Sequence, residues 1–473
     1  MRKTKIVATI GPSSDSEEII RKLILAGVNI FRLNFSHGYH ELHGNAVKKI
    51  NKVSQELGSD VGILADLSGP KIRTGEVKDG SMILVAGDAI TITTRDIQCS
   101  PGLISINYIL FAEDVNPGEY ILLDDGKLLL QVVSTDKIET VKAQVIQGGI
   151  LSSRKGVNLP DTSLRLPALS EKDLEDLDYI MQLEIQWVAL SFVRKASDIL
   201  ELRERIKKYD KKEFPRIVAK IEKPEAIENA TEIIKVSDAI MVARGDLGVE
   251  LPLEKLPTVQ KQLIRLASAE SKPVIVATQM MEGMINNFRP TRAEVSDVAN
   301  SLLDGADALM LSGETSIGLY PVETVETMNR IILDAEKLED PYFKTGHNPS
   351  LQERTISDSI IISACEMAQK IEANAIIAVT HTGYSAFKLS SHRPKAGIFI
   401  FSSNKHLLKG LSLVWGVTAI HYEDFSDTDH VMAKMRELIH ERKYVERGDY
   451  VINISSIPMG LTGKTNMLKL SQI

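Results

Sequence analysis

Cysteine is nearly absent: Cys99 and Cys365 are the only two in 473 residues. They are far apart and lack metal-ligand spacing, which excludes a disulfide framework and a thiolate metal site and fits a reducing cytoplasm. Basic runs are also missing. Lys+Arg 56 against Asp+Glu 63 leaves a net charge of −7, which argues against nucleic acid as a partner. No long apolar run occurs either. The N-terminal "MRKTKIVATIGPSS" carries basic residues, but its apolar stretch stops at Gly11-Pro12, too short for a signal peptide or a membrane span. What remains is an ordinary globular balance, 43% hydrophobic and 25% charged, in a chain long enough for several domains.

What is present is a recurring unit. Short runs rich in Val, Ile and Ala alternate with helix-like segments. They are Lys5–Ile10, Ile30–Ser36, Gly62–Ser68, Trp187–Val193, Arg216–Glu222, Ala239–Asp246, Pro273–Gln279 and Ala306–Ser312. Near-continuous apolar strands between helices imply a parallel sheet covered by helices, and eight such units predict a closed (β/α)8 barrel. The third unit is interrupted. "SMILVAGDAITITTR", "GEYILLDDGKLLLQVV" and "TVKAQVIQGG" read as antiparallel strands, with a hairpin signal at Asp125-Gly126. "SEKDLEDL", from Ser170, then opens a helix like a capping box. The expected fold class is α/β: a barrel from 1–68 and 168–338, an inserted antiparallel β-barrel lid over 69–167, and a C-terminal α/β domain over 350–473. A linker is expected over Glu339–Ser350. Beyond it a helix is expected at Ile356–Gln369, with strands in "AIIAVT", "GIFIFSS", "VTAIHY" and "DYVINIS".

Polar residues cluster where such a barrel keeps its reactive groups, at the C-terminal strand ends. Strand alternation puts Val218, Lys220 and Glu222 on one face. Arg32, Asn34 and Ser36 end the second strand and Asp66 the third, with Arg73 just beyond. Asp246, Thr278 and Ser312 end the last three. Two hard carboxylates, Glu222 and Asp246, suit Mg²⁺. Arg32, Arg73 and Lys220 suit phosphate oxygens, and Gly245 lets backbone N–H groups approach a carboxylate. Singly, each has a plainer account. Lys220–Glu222 reads as a buried ion pair, Asp246 as a helix cap, Arg32 as a structural bridge, and Thr278 and Ser312 as local hydroxyls. Asp124 and Asp125 read as turn residues. Together they require several buried charges at one mouth, which is costly unless a ligand or metal compensates.

Two further stretches resemble phosphate sites. "PMGLTGKT" (Pro458–Thr465) has proline where a P-loop needs its first glycine, and too short a tail for the following helix, so it is rejected. "VTHTGYSA" (Val379–Ala386) follows a strand and opens a helix, so it serves equally as a phosphate cradle or an ordinary cap.

The segments "TKIVATIGPSS", "FRLNFSHG", "GPKIRTG", "KGVNLP", "AKIEKPEAIEN", "MVARGDLGVELP", "ATQMMEGM", "RPTRAEVSDVANSLLDGADALMLSGETSIGLYP" and "GLTGKTN", in this order, resemble the pyruvate kinase family along essentially the whole chain. The resemblance implies phosphoryl transfer from phosphoenolpyruvate to ADP, giving pyruvate and ATP. It implies a cytoplasmic homotetramer with a mobile lid and a C-terminal effector domain. It implies Mg²⁺ (or Mn²⁺) on Glu222 and Asp246, Lys220 on the moving phosphoryl group, Arg32 on the substrate phosphate, and Gly245, Asp246 and Thr278 on its carboxylate. Arg73, Lys155 and Asn34, Phe35, Ser36 and His37 would serve the nucleotide. Thr278 and Ser312, with water, would relay the proton to carbon. A phosphorylated effector would meet Thr380, Thr382, Gly383, Tyr384, Ser385 and Lys464. Many members bind K⁺ through positions matching Asn34, Ser36, Asp66 and the carbonyl of Leu67, and carry "GPEIRTG". Here Lys71 replaces that acid, which predicts little or no need for K⁺. A Mg²⁺-dependent lyase-type barrel acting on pyruvate or phosphoenolpyruvate, and a non-catalytic metabolite sensor, are the alternatives.

Overall fold

The structure, a computed structural model, describes residues 1–338, 342, 355–425, 428–457 and 465–473. Apart from Tyr342, the expected linker lies outside the described residues, as does Lys464.

Eight strands close a parallel barrel. They are β1 (Lys5–Thr9), β2 (Ile30–Asn34), β3 (Gly62–Asp66), β4 (Trp187–Leu190), β5 (Arg216–Ile221), β6 (Ala239–Ala243), β7 (Val274–Ala277) and β8 (Ala308–Leu311). β1 pairs with β8, Lys5 opposite Ala308, to complete the ring. β4 pairs directly with β3, Trp187 opposite Leu64, so the insertion leaves the ring unbroken. The strands are shorter than the apolar runs suggest. Ser36, Leu67, Glu222, Thr278 and Ser312 all lie past the last paired residue. The run Ala239–Asp246 is corrected most, because its end belongs to a helix, Arg244–Glu250, that carries Asp246.

The interior of the ring is filled by alternate residues, Val7, Ile30, Leu64, Trp187, Ala189, Val218, Met241, Ile275 and Met310 among them. Their burial is complete or nearly so, as a packed barrel requires. The outward-facing residues pack under the surrounding helices in a second, larger core.

The insertion carries its own hydrophobic core. Its strands divide between a two-stranded ribbon (Ser81–Leu84 with Gly149–Ser152) and a six-stranded sheet. This splits the expected antiparallel barrel into a sheet and a ribbon, and the pair Ala89–Thr93 with Leu103–Ser105 runs parallel. The hairpin turn covers 124–127, not Asp125-Gly126 alone, and Asp124, Asp125 and Gly126 all have positive φ. The chain returns to the barrel through Ser170, whose hydroxyl accepts from Asp173 N while Asp173 accepts from Ser170 N, the capping box expected there.

The C-terminal sheet has the order β11-β10-β9-β12-β13. Here β9 is Ala375–Val379, β10 Gly397–Ser402, β11 Val417–His421, β12 Tyr450–Ser455 and β13 Met467–Gln472. The last strand, unforeseen in the sequence, is antiparallel to β12. A strand therefore stands where a P-loop would need a helix. The domain caps the bottom of the barrel: Leu413 joins the barrel interior, and Trp187 Nε1 donates to Gly410 O at 3.0 Å. No described helix is long and apolar enough to cross a membrane.

Candidate active site

The row of interior side chains changes character at the C-terminal end of the ring. Counting by two, Val7 leads to Thr9, Ile30 to Arg32, Leu64 to Asp66, Ala189 to Ser191 and Val218 to Lys220. These five form one bonded layer. Arg32 donates to Asp66 Oδ2 at 2.7 Å and to Thr9 Oγ1 at 3.2 Å. Lys220 donates to Ser191 Oγ at 2.7 Å and lies 3.3 Å from Asp66 Oδ1 and 2.9 Å from Glu222 Oε1. Glu222 is fully buried, and its Oε2 accepts from Phe192 N at 2.8 Å.

The electrostatics follow from this packing. Burial alone would raise the Asp66 carboxyl, but Lys220 and Arg32 outweigh it and hold it low. Burial disfavours the Lys220 ammonium, yet Asp66, Glu222 and Asp246 together raise its pKa above the ordinary value. Glu222 is pushed up by burial, against the pull of Lys220 and with Asp246 adding to the push. Glu222 Oε1 and Asp66 Oδ1 are buried atoms with charge contact to Lys220 but no hydrogen bond of good geometry.

Across the mouth, Gly245 N donates to Thr278 Oγ1 at 2.6 Å, and that hydroxyl donates to Ala277 O at 2.6 Å. Half-buried Asp246 lines a cleft of 280 Å³ between barrel and insertion, with Lys71, Arg73, Asp124, Lys155 and Lys223. Lys155 is held 2.9 Å from Asp124 Oδ1. Asn158 of the insertion donates to Glu250 Oε1 at 2.7 Å, tying the insertion to the helix of Asp246. Among the described residues no group of three acidic, His or Cys side chains could hold a metal by itself. Glu222 and Asp246 fit a divalent ion only as a pair of hard oxygen donors that a substrate completes. The under-bonded Glu222 Oε1 supports that fit.

Other expected residues are placed less simply. Phe35 is buried with its ring stacked on His43, so only its backbone could reach a ligand, and its carbonyl already accepts from Lys172 at 2.7 Å. Asn34 Oδ1 accepts from Ser36 N, and Leu67 O from Ser191 Oγ. Of the oxygens expected for K⁺, Asn34 Oδ1, Leu67 O and Asp66 Oδ2 accept from protein donors, and the Asp66 charge is matched by Arg32 and Lys220. His37 is exposed, and its pKa is lowered by partial burial and by Lys71, Arg73, Arg32 and Lys172. Lys71 is exposed, with its ammonium 5.7 Å from the centre of the Phe192 ring. In the C-terminal domain, Thr380 Oγ1 accepts from Gly383 N at 3.0 Å, a turn bond just ahead of the helix Tyr384–Ser391, whose N-cap Gly383 has no side-chain cap. Tyr384 donates its hydroxyl to Asp358, and Ser385 Oγ lies 3.3 Å from Thr465 Oγ1. Thr382 O accepts from Arg216 at 2.9 Å.

Three participants were missed. Ser191 follows from alternation carried one step past Ala189. Glu314, buried beside Ser312, accepts from Ser312 N at 2.7 Å and Met281 N at 3.2 Å, and burial raises its pKa. Arg244 pairs with Asp297 across the rim.

The family model for the pyruvate kinase barrel domain matches residues 1–325, and that for its alpha/beta domain matches residues 358–471. A pyruvate kinase of Staphylococcus haemolyticus is 42% identical over 471 residues, covering 99% of this chain and 80% of the relative. One of Staphylococcus aureus is 43% identical with the same coverage. The crystal structure of a pyruvate kinase from Cryptosporidium parvum superposes with a TM-score of 0.94 at 35% identity, covering 100% of this chain and 96% of that one. With two family domains in order and full-length likeness to these relatives, the chain belongs to the pyruvate kinase family.

Proposed function

We propose that the cleft between barrel and insertion transfers the phosphoryl group of phosphoenolpyruvate to ADP, with the labour divided as follows. The observation that carries this reading is the inward polar layer, in which one buried ammonium, Lys220, stands between Asp66 and Glu222. Lys220 and Arg32 neutralise the phosphoryl oxygens while charge spreads over them. Gly245, Asp246 and Thr278 hold the substrate carboxylate. Arg73, Lys155 and the Asn34–His37 segment take the nucleotide phosphates, with Phe35 contributing backbone alone. Glu222 and Asp246 hold the divalent ion, which when bound offsets the negative charge shared by the two substrates. Asp66 keeps Arg32 and Lys220 aimed into the mouth. Once the phosphoryl group has left, the enolate takes a proton at carbon through Thr278 and Ser312 with water. Ser312 is held there by the Glu314 carboxylate.

The domains divide at 1–68 with 168–338, 69–167 and 350–473, and the middle one closes over the mouth. The last one takes a phosphorylated effector at Thr380, Thr382, Gly383, Tyr384, Ser385 and Lys464. The working form is a cytoplasmic homotetramer. K⁺ is dispensable, because Lys71 supplies a positive charge near this segment and Asp66 is already matched by Arg32 and Lys220.

Phosphoenolpyruvate, ADP and Mg²⁺ with pyruvate and ATP quantified separately test the reading. Equal yields of both support it. Pyruvate chemistry without ATP would favour the lyase-type barrel, and neither product would favour the sensor.

A further inference from the structure

Thr278 is held in an unfavourable conformation. Its φ is 69°, and that of Gln279 is 55°. A β-branched residue at positive φ is a genuine outlier, so its surroundings must over-determine it. The restraint comes from two consecutive residues of the helix that also carries Asp246. Gly245 N holds the Thr278 hydroxyl, as described, and Arg244 holds the other end, donating from Nη2 to Thr278 O at 2.9 Å. The guanidinium is in turn fixed by a two-pronged bond to Asp297, Nη1 to Oδ1 and Nη2 to Oδ2, each 2.7 Å. Asp297 stands on the helix Arg292–Asp304, anchored by a complete capping box between Thr291 and Glu294. Arg244 is buried, and only its planar fork can serve a carboxylate and a carbonyl at once.

We infer that Arg244, locked by Asp297, is a positioning residue that keeps the Thr278–Gln279 turn in its left-handed form, so that the Thr278 hydroxyl and the Gly245 N–H, bonded to each other, stand side by side where the substrate exchanges that bond for its own. Nothing in the assigned roles of Gly245, Asp246 and Thr278 requires this clamp. The inference rests on Thr278 facing the substrate as proposed above. Arg244 itself touches no reacting atom.

Substitution R244K keeps the charge opposite Asp297 but cannot span both acceptors. The expected loss in kcat/KM for phosphoenolpyruvate is about 100-fold, the scale set by displacing a catalytic group by about 1 Å. Asp297→Asn loosens the same clamp without touching Arg244 and is expected to fall in the same direction. The decisive arm is Gln279→Gly. Glycine adopts positive φ without steric cost, and Gln279 is exposed. Alone it is expected to leave kcat/KM within about twofold of the parent. Combined with R244K or Asp297→Asn it relieves the strain at 279 but not at Thr278, and is expected to restore part of the lost rate. A merely structural role for Arg244, in holding the fold or the charge, would not be rescued by a glycine at 279. Unchanged kinetics in R244K, or double variants no faster than the singles, would overturn the inference. If R244K does not fold, the Asp297→Asn pair decides by the same comparison. Thr278→Ala keeps the two failures apart. If that variant is as fast as the parent, the reading of Thr278 is wrong. If it is slow and R244K still exacts its full cost on top of Thr278→Ala, the clamp alone is wrong.

Discussion

Replacing Lys220 by Met removes a cation that touches both buried carboxylates, and the structure says how the damage divides. Asp66 keeps its two bonds to Arg32, so it remains paired. Glu222 keeps only the Phe192 N–H. One buried carboxylate is therefore left uncompensated, which places the loss of stability near the lower end of the range for a broken buried pair, about 3 kcal/mol. The rate should suffer more. A preorganised cation aimed at a transferring phosphoryl group contributes about 10³-fold or more, so kcat should fall by at least that much. The two effects separate in Mg²⁺. An ion bound to the native state at 100 times its Kd adds about 2.7 kcal/mol, and it supplies the positive charge that Glu222 has lost. Melting curves of Lys220→Met should therefore approach the parent's as Mg²⁺ is raised, while product formation stays low. The assay is phosphoenolpyruvate plus ADP with pyruvate and ATP followed together, alongside thermal unfolding across a Mg²⁺ series. A variant that kept most of the phosphoryl-transfer rate would refute the role of Lys220. A stability gap that Mg²⁺ failed to narrow would refute Glu222 as an ion ligand.

Steady-state rates in tetramethylammonium buffer free of Na⁺ and K⁺ should not rise when K⁺ is added, and Lys71→Glu should create K⁺ activation by restoring the acid that Lys71 replaces. A Cβ at position 245 would lie 3.3 Å from Thr278 Oγ1, so Gly245→Ala should raise KM for phosphoenolpyruvate roughly tenfold by displacing that hydroxyl, measured as initial rates over a substrate series. Burial pushes the Lys5 ammonium down to about 7. Between there and the usual lysine range the unfolded chain binds more protons than the folded one, so unfolding free energy should climb from pH 7 upwards, and Lys5→Met should flatten that climb in denaturant titrations. Burial pushes the Cys365 thiol up to about 12 and Cys99 is fully buried. Both should resist a thiol reagent in the native protein and react once it is unfolded.

Legibility of this site in the sequence stops where strand periodicity stops. Inside the ring a residue's face is fixed by counting, so Arg32, Asp66 and Lys220 can be aimed into the mouth from the sequence alone, and Ser191 is open to the same count. Past the ladder the count is no longer dependable: it still serves for Ser191 and Glu222, but it misreads the segment that carries Asp246. The run "AIMVARGD" reads as a strand to its end because its apolar content is continuous, yet the backbone turns helical at Arg244. Asp246 is thus assigned the right mouth for an incomplete reason: it arrives there on a short helix rather than on a pleat. The insertion shows a related limit. Its boundaries follow from a change of rhythm, but the bond from Asn158 to Glu250 joins residues whose approach is set by how two domains pack. No local pattern carries that information.

Arg244 and Asp297 make the point most sharply. Each sits in a motif that the sequence singles out, "MVARGDLGVELP" and "RPTRAEVSDVANSLLDG", and neither motif marks the other as its partner. Their pairing across 53 positions depends on two helices meeting at the rim of a closed ring. Its consequence, a threonine held at positive φ through its carbonyl, is a property of backbone torsions that the letters Thr-Gln do not announce. Glycine or asparagine at 278 would have signalled a left-handed turn, whereas threonine conceals it. The choice is chemically intelligible under the proposed role of Thr278, which requires a hydroxyl that glycine cannot give. A local conflict between residue type and backbone is therefore expected wherever the chemistry, not the fold, selects the side chain, and such conflicts become visible only once torsions are in hand.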